Sequence, residues 1–96
     1  MRVYAIAQFT ITDAAAYRRY QSRFAEVFHA FDGTLLAADE SPTVEEGSWP
    51  HQKVVLLEFP DEPALRHFAD SPEYLAIAAD RRAGTEGVVL TVHGLS

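Results

Sequence analysis

Apolar and polar residues alternate at the start of the chain and then recur at helical spacing. The segment from Val3 to Thr12 alternates with the two-residue period of a β-strand. Asp13 follows where a helix N-cap belongs, because its carboxylate can accept the unpaired amide hydrogens of a first turn. Apolar side chains then recur at spacings of three and four residues, and these are Tyr17, Tyr20, Phe24, Val27 and Phe31. The pattern predicts one amphipathic helix that ends at Asp32-Gly33.

The middle of the chain predicts two more strands. Thr34 to Ala38 is a short second strand, and a continuation near Thr43-Val44 stays open. Glu45 to His51 carries a glycine and a proline and is predicted to be a loop. Lys53 to Phe59 is the third strand, with apolar residues on both faces, and Pro60 ends it.

Two capped helices and a last strand complete the chain. Asp61 and Ser71 stand at predicted N-caps, and each is followed by a proline in the first turn, where a missing amide hydrogen is harmless. Gly84 ends the second of these helices, and Val88 to His93 is the last strand. The order is βαββαβ in a single α+β domain of residues 1–96. Right-handed crossovers then predict a four-stranded antiparallel sheet with helices on one face.

Both faces of two strands are apolar, although helices are expected on only one. A sheet of this kind normally has a polar solvent face. The third strand and the last strand lack one, since Val88, Leu90 and Val92 oppose Val89 and Thr91. We therefore predict a homodimer whose sheets pack face to face.

Composition narrows the possible partners. The net charge of −6 argues against nucleic acid, because phosphate binding needs a cationic patch. Without cysteine there is no disulfide framework, thiol nucleophile or Cys-ligated zinc. The apolar amino terminus turns polar after about eleven residues, too soon for a membrane span, and it has no signal-peptide cleavage region. We expect a cytoplasmic protein.

Motifs spread along the chain resemble one family. They are Tyr4-Ala5-Ile6 with Ile11 and Asp13, Tyr17, Gly33, Glu46-Gly47-x-Trp49, Val54–Phe59-Pro60, Ser71-Pro72-Glu73-Tyr74 and Arg81-Arg82. In this order they resemble the bacterial domain-of-unknown-function 1330 family over essentially the whole chain. The resemblance implies a ferredoxin-like dimeric α+β barrel, a fold shared with small monooxygenases and muconolactone isomerases. It implies no reaction, since a fold does not define a function.

Two residues are candidates for acid–base chemistry. Glu58 is an acid within an apolar strand, and burial would raise its pKa and make it a candidate acid or base. The alternative is a structural ion pair with Arg81 or Arg82. His67, on a helix, is a candidate general base, and the alternative is an exposed helical histidine. The four histidines show no metal-ligand spacing, so no metal site is predicted.

Four further residues are candidates for ligand binding. Arg81 lies over the inward stripe of its helix and can hold a carboxylate bidentately, or it can pair with Glu58. Trp49 is either an aromatic wall at a cleft mouth or a plug at the edge of the core. Tyr17 and Tyr74 either reach a ligand with their hydroxyls or simply pack in the core. No nucleotide-binding or flavin-binding motif occurs, and we expect no cofactor.

Three functions stay open. The leading hypothesis is a homodimer that binds a small organic molecule, anionic or aromatic, in a cleft between helices and sheet. An enzymatic form of it is a cofactor-independent monooxygenase or isomerase, by fold analogy, with Glu58 or His67 as base. The competing hypothesis is a non-catalytic structural or interaction module.

Overall fold

Four strands and three helices alternate in the predicted order. The computed structural model describes residues 1–95. Its elements are β1 (Val3–Ile11), α1 (Ala14–Phe28), β2 (Thr34–Asp39), β3 (Lys53–Phe59), α2 (Glu62–Ala69), α3 (Pro72–Gly84) and β4 (Thr85–His93). The strands form one antiparallel sheet in the order β2-β3-β1-β4. The ferredoxin-like α+β fold predicted from the sequence is confirmed.

Three boundaries differ from the predictions. The first helix ends at Phe28 rather than near Asp32, because the amides of Ala30 and Phe31 turn to the carbonyls three residues back. β4 begins at Thr85, three residues before Val88, since Thr85 already pairs with Ile11 of β1. Residues 43 and 44 belong to no strand, so β2 ends at Asp39.

The predicted caps hold the starts of the helices. The Asp13 carboxylate accepts from the amides of Ala15 and Ala16 at 3.0 and 3.2 Å. Asp61 accepts from the amide of Ala64 at 2.9 Å. The Ser71 hydroxyl accepts from the amide of Tyr74 at 3.1 Å. Each cap satisfies amide groups that a helix leaves unpaired at its amino end.

The helix-covered face of the sheet carries the core. Val3 of β1 lies opposite Phe59 of β3, and both side chains are almost fully buried. Two aromatic-rich clusters pack the helices against this face. One contains Val3, Phe28, Leu57, Phe59, Leu65 and Phe68, and the other contains Phe9, Tyr17, Tyr20 and Ile77. Six of these ten side chains are aromatic, so the helix layer packs on the sheet largely through rings.

The opposite face of the sheet is largely apolar, and no helix of residues 1–95 covers it. We call it the open face, and its apolar residues include Ile6, Leu56, Val88, Leu90 and Val92. The three β4 residues among them are 40–46 % exposed in the single chain. Strand alternation puts them there, because Val92, Leu90 and Val88 pair in turn with Tyr4, Ile6 and Gln8 of β1. A contiguous apolar surface of this kind is typical of an interaction site.

The carboxyl end of α3 approaches the amino end of α1 closely. The Gly84 carbonyl accepts from the amides of Thr12 and Asp13 at 2.8 and 3.2 Å. A methyl group at Gly84 would lie 2.8 Å from the Tyr17 amide nitrogen and 2.9 Å from the Asp13 carbonyl oxygen. Both contacts are with backbone, which cannot move aside cheaply.

We therefore predict that Gly84→Ala lowers the free energy of unfolding by about 1–3 kcal/mol, the usual cost of overpacking. The direction of this change in stability is informative, because alanine in place of glycine normally stabilises a helix. Urea unfolding measures it, with Ala83→Ser on the exposed side of the same turn as the control. An unfolding free energy equal to or above that of the native protein would contradict the close contact.

Candidate functional site

A cavity of about 470 Å³ lies between the helices and the covered face of the sheet. We call it the central cavity. Its floor includes Ala5 and Ala7 of β1, whose small side chains leave room at the middle of the sheet. Its walls include Phe9, Phe24, Phe68 and Val55, and it extends to Leu35 of β2 on one side and Val89 of β4 on the other. Small residues on a central strand beneath a layer of rings account for the space.

A row of polar groups lines the central cavity. The Lys53 Nζ atom lies 5.0 Å from the centre of the Tyr17 ring, and the Tyr17 and Tyr20 ring centres are 5.9 Å apart. The Tyr20 and Tyr74 hydroxyls are 3.1 Å apart. The Arg81 Nε–H donates to the Tyr74 hydroxyl oxygen at 3.3 Å. The row has a cation at each end and phenol groups between.

Lys53 was not among the residues predicted from the sequence. Its side chain is only 4 % exposed, and the Glu40 carboxylate lies 3.8 Å from its Nζ atom while remaining 70 % exposed itself. Lys53 pairs with Phe9 in the β1–β3 register, so it shares the buried face of Val55 and Leu57. Strand alternation in the sequence places Lys53 on the face of Val55 and Leu57, although apolar residues on both faces of β3 leave open which face the helices cover. A buried ammonium with so weak a partner is costly unless an anion joins it.

Arg81 lies in the central cavity without the partner considered for it. Within residues 1–95, no carboxylate lies within 4.0 Å of its guanidinium. Glu58 instead pairs with Arg2 at 3.5 Å. The physical reason is strand alternation, since Glu58 lies opposite Tyr4 and faces away from the helices. The alternative of an Arg81–Glu58 ion pair is therefore wrong.

Two other candidate residues lie outside the central cavity. His67 is on the outer surface of α2, where its ring contacts Phe31 at 5.1 Å between centres and lines a separate groove of about 610 Å³. The Trp49 Nε1–H donates to the Gln8 side-chain oxygen at 2.9 Å, and Gln8 lies in the β1 positions that face away from the helices. The structure thus brings together Tyr17, Tyr74 and Arg81 of the six predicted residues, and it separates Glu58, His67 and Trp49 from them.

Tyr20, a member of the apolar stripe of α1, also lines the central cavity. Burial raises the pKa of its hydroxyl well above the ordinary value of 10.0, and the neighbouring Tyr74 hydroxyl adds to the increase. The Tyr20 phenol group is therefore a protonated hydrogen-bond donor at every physiological pH. Within residues 1–95, no three His, Asp or Glu side chains are placed to hold a metal ion.

The family resemblance is shown by a direct match. The model of the family described as "Domain of unknown function (DUF1330)" matches residues 2–95. The chain belongs to this family. No curated protein sequence matches the chain significantly. Among residues 1–95, no helix combines the length and the apolar character needed to cross a membrane.

Several solved structures share the fold at low sequence identity. A protein of unknown function from Rhodopseudomonas palustris, RPA0582, has a TM-score of 0.81 and 16 % identity, over 99 % of this chain and 83 % of its own. A dimeric ferredoxin-like protein of unknown function from Jannaschia sp. CCS1 has a TM-score of 0.77 and 15 % identity, over 98 % of this chain and 100 % of its own. SnoaB, a cofactor-independent oxygenase from Streptomyces nogalater, has a TM-score of 0.68 and 18 % identity, over 99 % of this chain and 94 % of its own. At these identities the likeness establishes the fold alone.

The raised pKa of Tyr20 predicts a loss of stability in alkali. Above the unfolded value of about 10, an unfolded chain releases this proton while the folded chain retains it, so the stability that the protonated phenol contributes is lost as pH rises. The free energy of unfolding falls by on the order of 1 kcal/mol for each pH unit in that range. Urea unfolding at pH about 8 and about 11 measures the decline, which should be shallower in Tyr20→Phe than in the native protein. Tyr4→Phe is the control, and an equal effect of both changes would contradict the assignment.

Proposed function

We propose that this protein binds a small organic anion with an aromatic ring in the central cavity. The observation that supports this most directly is the pair of cations, Lys53 and Arg81, at the two ends of a tyrosine row in a cavity whose walls are mostly apolar. Apolar walls with a few convergent polar groups are the usual composition of a small-molecule site.

The size of the central cavity supports a ligand of this kind. Its volume of about 470 Å³ falls in the range of pockets that enclose small organic molecules. The rings of Phe24, Phe68 and Tyr74 form its aromatic walls, with Phe68 and Tyr74 only 4.5 Å apart between ring centres. Flat walls of this kind accommodate an aromatic ring by stacking or edge contact.

The charge distribution supports an anion. The chain has a net charge of −6, so its surface as a whole repels anions. Lys53 and Arg81 lie inside, where a lower dielectric strengthens their attraction for a carboxylate or phenolate. Arg81 retains most of its five N–H donors after its one hydrogen bond to Tyr74. An anionic ligand would supply the charge that neither cation obtains from a buried carboxylate.

A catalytic form of this function is the second candidate. SnoaB, a cofactor-independent oxygenase, shares the fold, and cations in a cavity favour the ionised form of a bound phenol or enol. The geometry does not support Glu58 or His67 as the base, because both lie outside the central cavity. A purely structural role does not explain why Lys53 is buried beside a carboxylate that remains mostly exposed.

We also propose that a second copy of the chain covers the open face. Three observations support a second copy as the partner of this face. The face exposes apolar β4 side chains, and a domain of 96 residues has little core of its own. Fold neighbours from Jannaschia sp. CCS1 and Thermobifida fusca are described as dimeric. Face-to-face packing of two such sheets would remove the β4 side chains from water.

The ligand proposal predicts a charge-dependent thermal shift. Benzoate and salicylate should raise the unfolding temperature of the native protein, whereas uncharged benzyl alcohol should not. Lys53→Met and Arg81→Gln should each reduce that shift by at least about half, since removing one charge contact typically weakens binding by 1 kcal/mol or more (about fivefold).

The matched control is Arg18→Gln, which removes an exposed charge of α1 outside the central cavity. It should keep the full shift. Ala7→Leu fills the floor of the central cavity and should remove the shift altogether. Equal stabilisation of the native protein, Lys53→Met and Arg81→Gln by benzoate would reject the proposed site.

The dimer proposal predicts twice the chain mass of 10.7 kDa in sedimentation at micromolar concentration. Leu90→Glu places a charge on the open face, beside Ile6, and should yield a monomer, because burying an unpaired carboxylate is unfavourable. Ala79→Glu on the exposed side of α3 is the control and should leave the dimer intact. A monomeric native protein, or a Leu90→Glu variant that still dimerises, would refute this interface.

A further inference from the structure

We propose that Tyr20, Tyr74 and Arg81 form an oxyanion-binding site that holds a phenolic ligand in its ionised form. The inference rests on the proposed function and narrows its ligand class to hydroxyaromatic compounds. The phenolate oxygen would lie against the paired tyrosine hydroxyls and the arginine, and the remainder of the ring would extend along the aromatic walls toward Lys53. The site lowers the pKa of the ligand and so selects the phenolate from solution.

The first step is a count of hydrogen-bonding protons. The Tyr20 and Tyr74 hydroxyls carry one proton each, and the bond between their oxygens, at 3.1 Å, uses one of the two. The Arg81 Nε–H also donates to the Tyr74 oxygen, so it supplies a proton rather than accepting one. Within residues 1–95, neither hydroxyl has another hydrogen-bond partner. Whichever way the tyrosine pair is oriented, one phenolic proton has no protein acceptor.

The second step is the surroundings of that proton. Tyr20 is buried and Tyr74 is half-buried, and both line the central cavity. Buried donors normally have an acceptor, so a donor left over at a cavity wall is placed to serve a ligand. The Arg81 guanidinium beside it has further N–H groups and no carboxylate partner within 4.0 Å among residues 1–95. This end of the central cavity therefore presents unused hydrogen-bond donors to a ligand.

The third step concerns the charges that face the site from other elements. Lys53 of β3 and Arg82 of α3 also line the central cavity and add positive charge. Asp70 lines it as well, but its carboxylate is paired with Arg66 at 3.8 Å. The charged groups nearest the Tyr20–Tyr74 pair are therefore mainly cations, and a cation close to a bound phenol favours its ionised form.

The fourth step distinguishes a phenol from a carboxylic acid. Tyr20 and Tyr74 each contact a phenylalanine ring at a tilted angle, with ring centres 5.7 Å from Phe24 and 4.5 Å from Phe68, so the oxygen site adjoins flat apolar walls. One spare phenolic proton beside one guanidinium fits a single ring oxygen held in the plane of an aromatic ligand. Lys53, which lies beyond Tyr17 in the row, is then left for a second polar substituent of the same ring.

The test uses 4-nitrophenol, whose phenolate has its own visible absorption. Titrating the dye with and without excess protein gives its free and bound pKa directly. We expect the bound pKa to be lower by at least about one unit, the effect of a neighbouring opposite charge. Tyr74→Phe, Tyr20→Phe and Arg81→Gln should each reduce the shift, and Arg81→Lys should restore part of it because the positive charge is retained. Arg18→Gln, the exposed control, should keep all of it.

Lys53→Met separates this site from a general effect of positive charge. This substitution should weaken benzoate binding, but most of the pKa shift of bound 4-nitrophenol should remain. Circular dichroism spectra verify that each variant is folded. An unchanged pKa of the bound dye, a failure of the dye to bind, or a shift that disappears in Lys53→Met while persisting in Arg81→Gln would overturn the inference. Benzoate binding in the thermal-shift experiment would then still support the proposed function, whereas its absence as well would reject both.

Discussion

The antiparallel register of β1 with β3 is the constraint on which the rest of the structure depends. Because side chains alternate along a strand, one register assigns every residue of both strands to the covered face or the open face. Val3 lies opposite Phe59 and Phe9 opposite Lys53, so the core and the buried cation share the helix side. Glu58 lies opposite Tyr4 and is excluded from it. A slip by one residue would exchange the two faces entirely.

The central cavity follows from the sizes of the residues that this register places together. Ala5 and Ala7 occupy the middle of the covered face, and rings from α1, α2 and α3 span the space above them. Filling the space with aliphatic side chains would improve packing, and replacing Lys53 by an apolar residue would avoid burying an ammonium. The fold retains both features. Local departures from the most stable arrangement are common at binding sites.

The candidate site was only partly predictable from the sequence. Tyr17, Tyr74 and Arg81 were identified because helical spacing indicates the inward side of a single helix, and α1 and α3 both face the central cavity. Glu58 was singled out as an anomaly in an apolar strand, yet its pairing with Arg2 follows from the β1–β3 register. His67 lies outside the central cavity because Leu65 and Phe68 form the buried side of α2, and Trp49 lies outside it because its indole N–H donates to Gln8 on the other face of the sheet. Lys53 is not predictable in the same way, because β3 is apolar on both faces and its sequence does not indicate which face the helices cover.

Local signals in the sequence determined the order of the elements, their caps and the apolar character of both sheet faces. Asp13, Asp61 and Ser71 act on amides within three residues, so nearby sequence is sufficient to predict them. The tertiary structure alone decided that Tyr20 and Tyr74 share a hydrogen bond across 54 positions of the chain, with Arg81 behind them. It also decided that Lys53 closes the other end of the row. Those contacts join separate elements, and their distances depend on how the helices rest on the sheet, which no local pattern records.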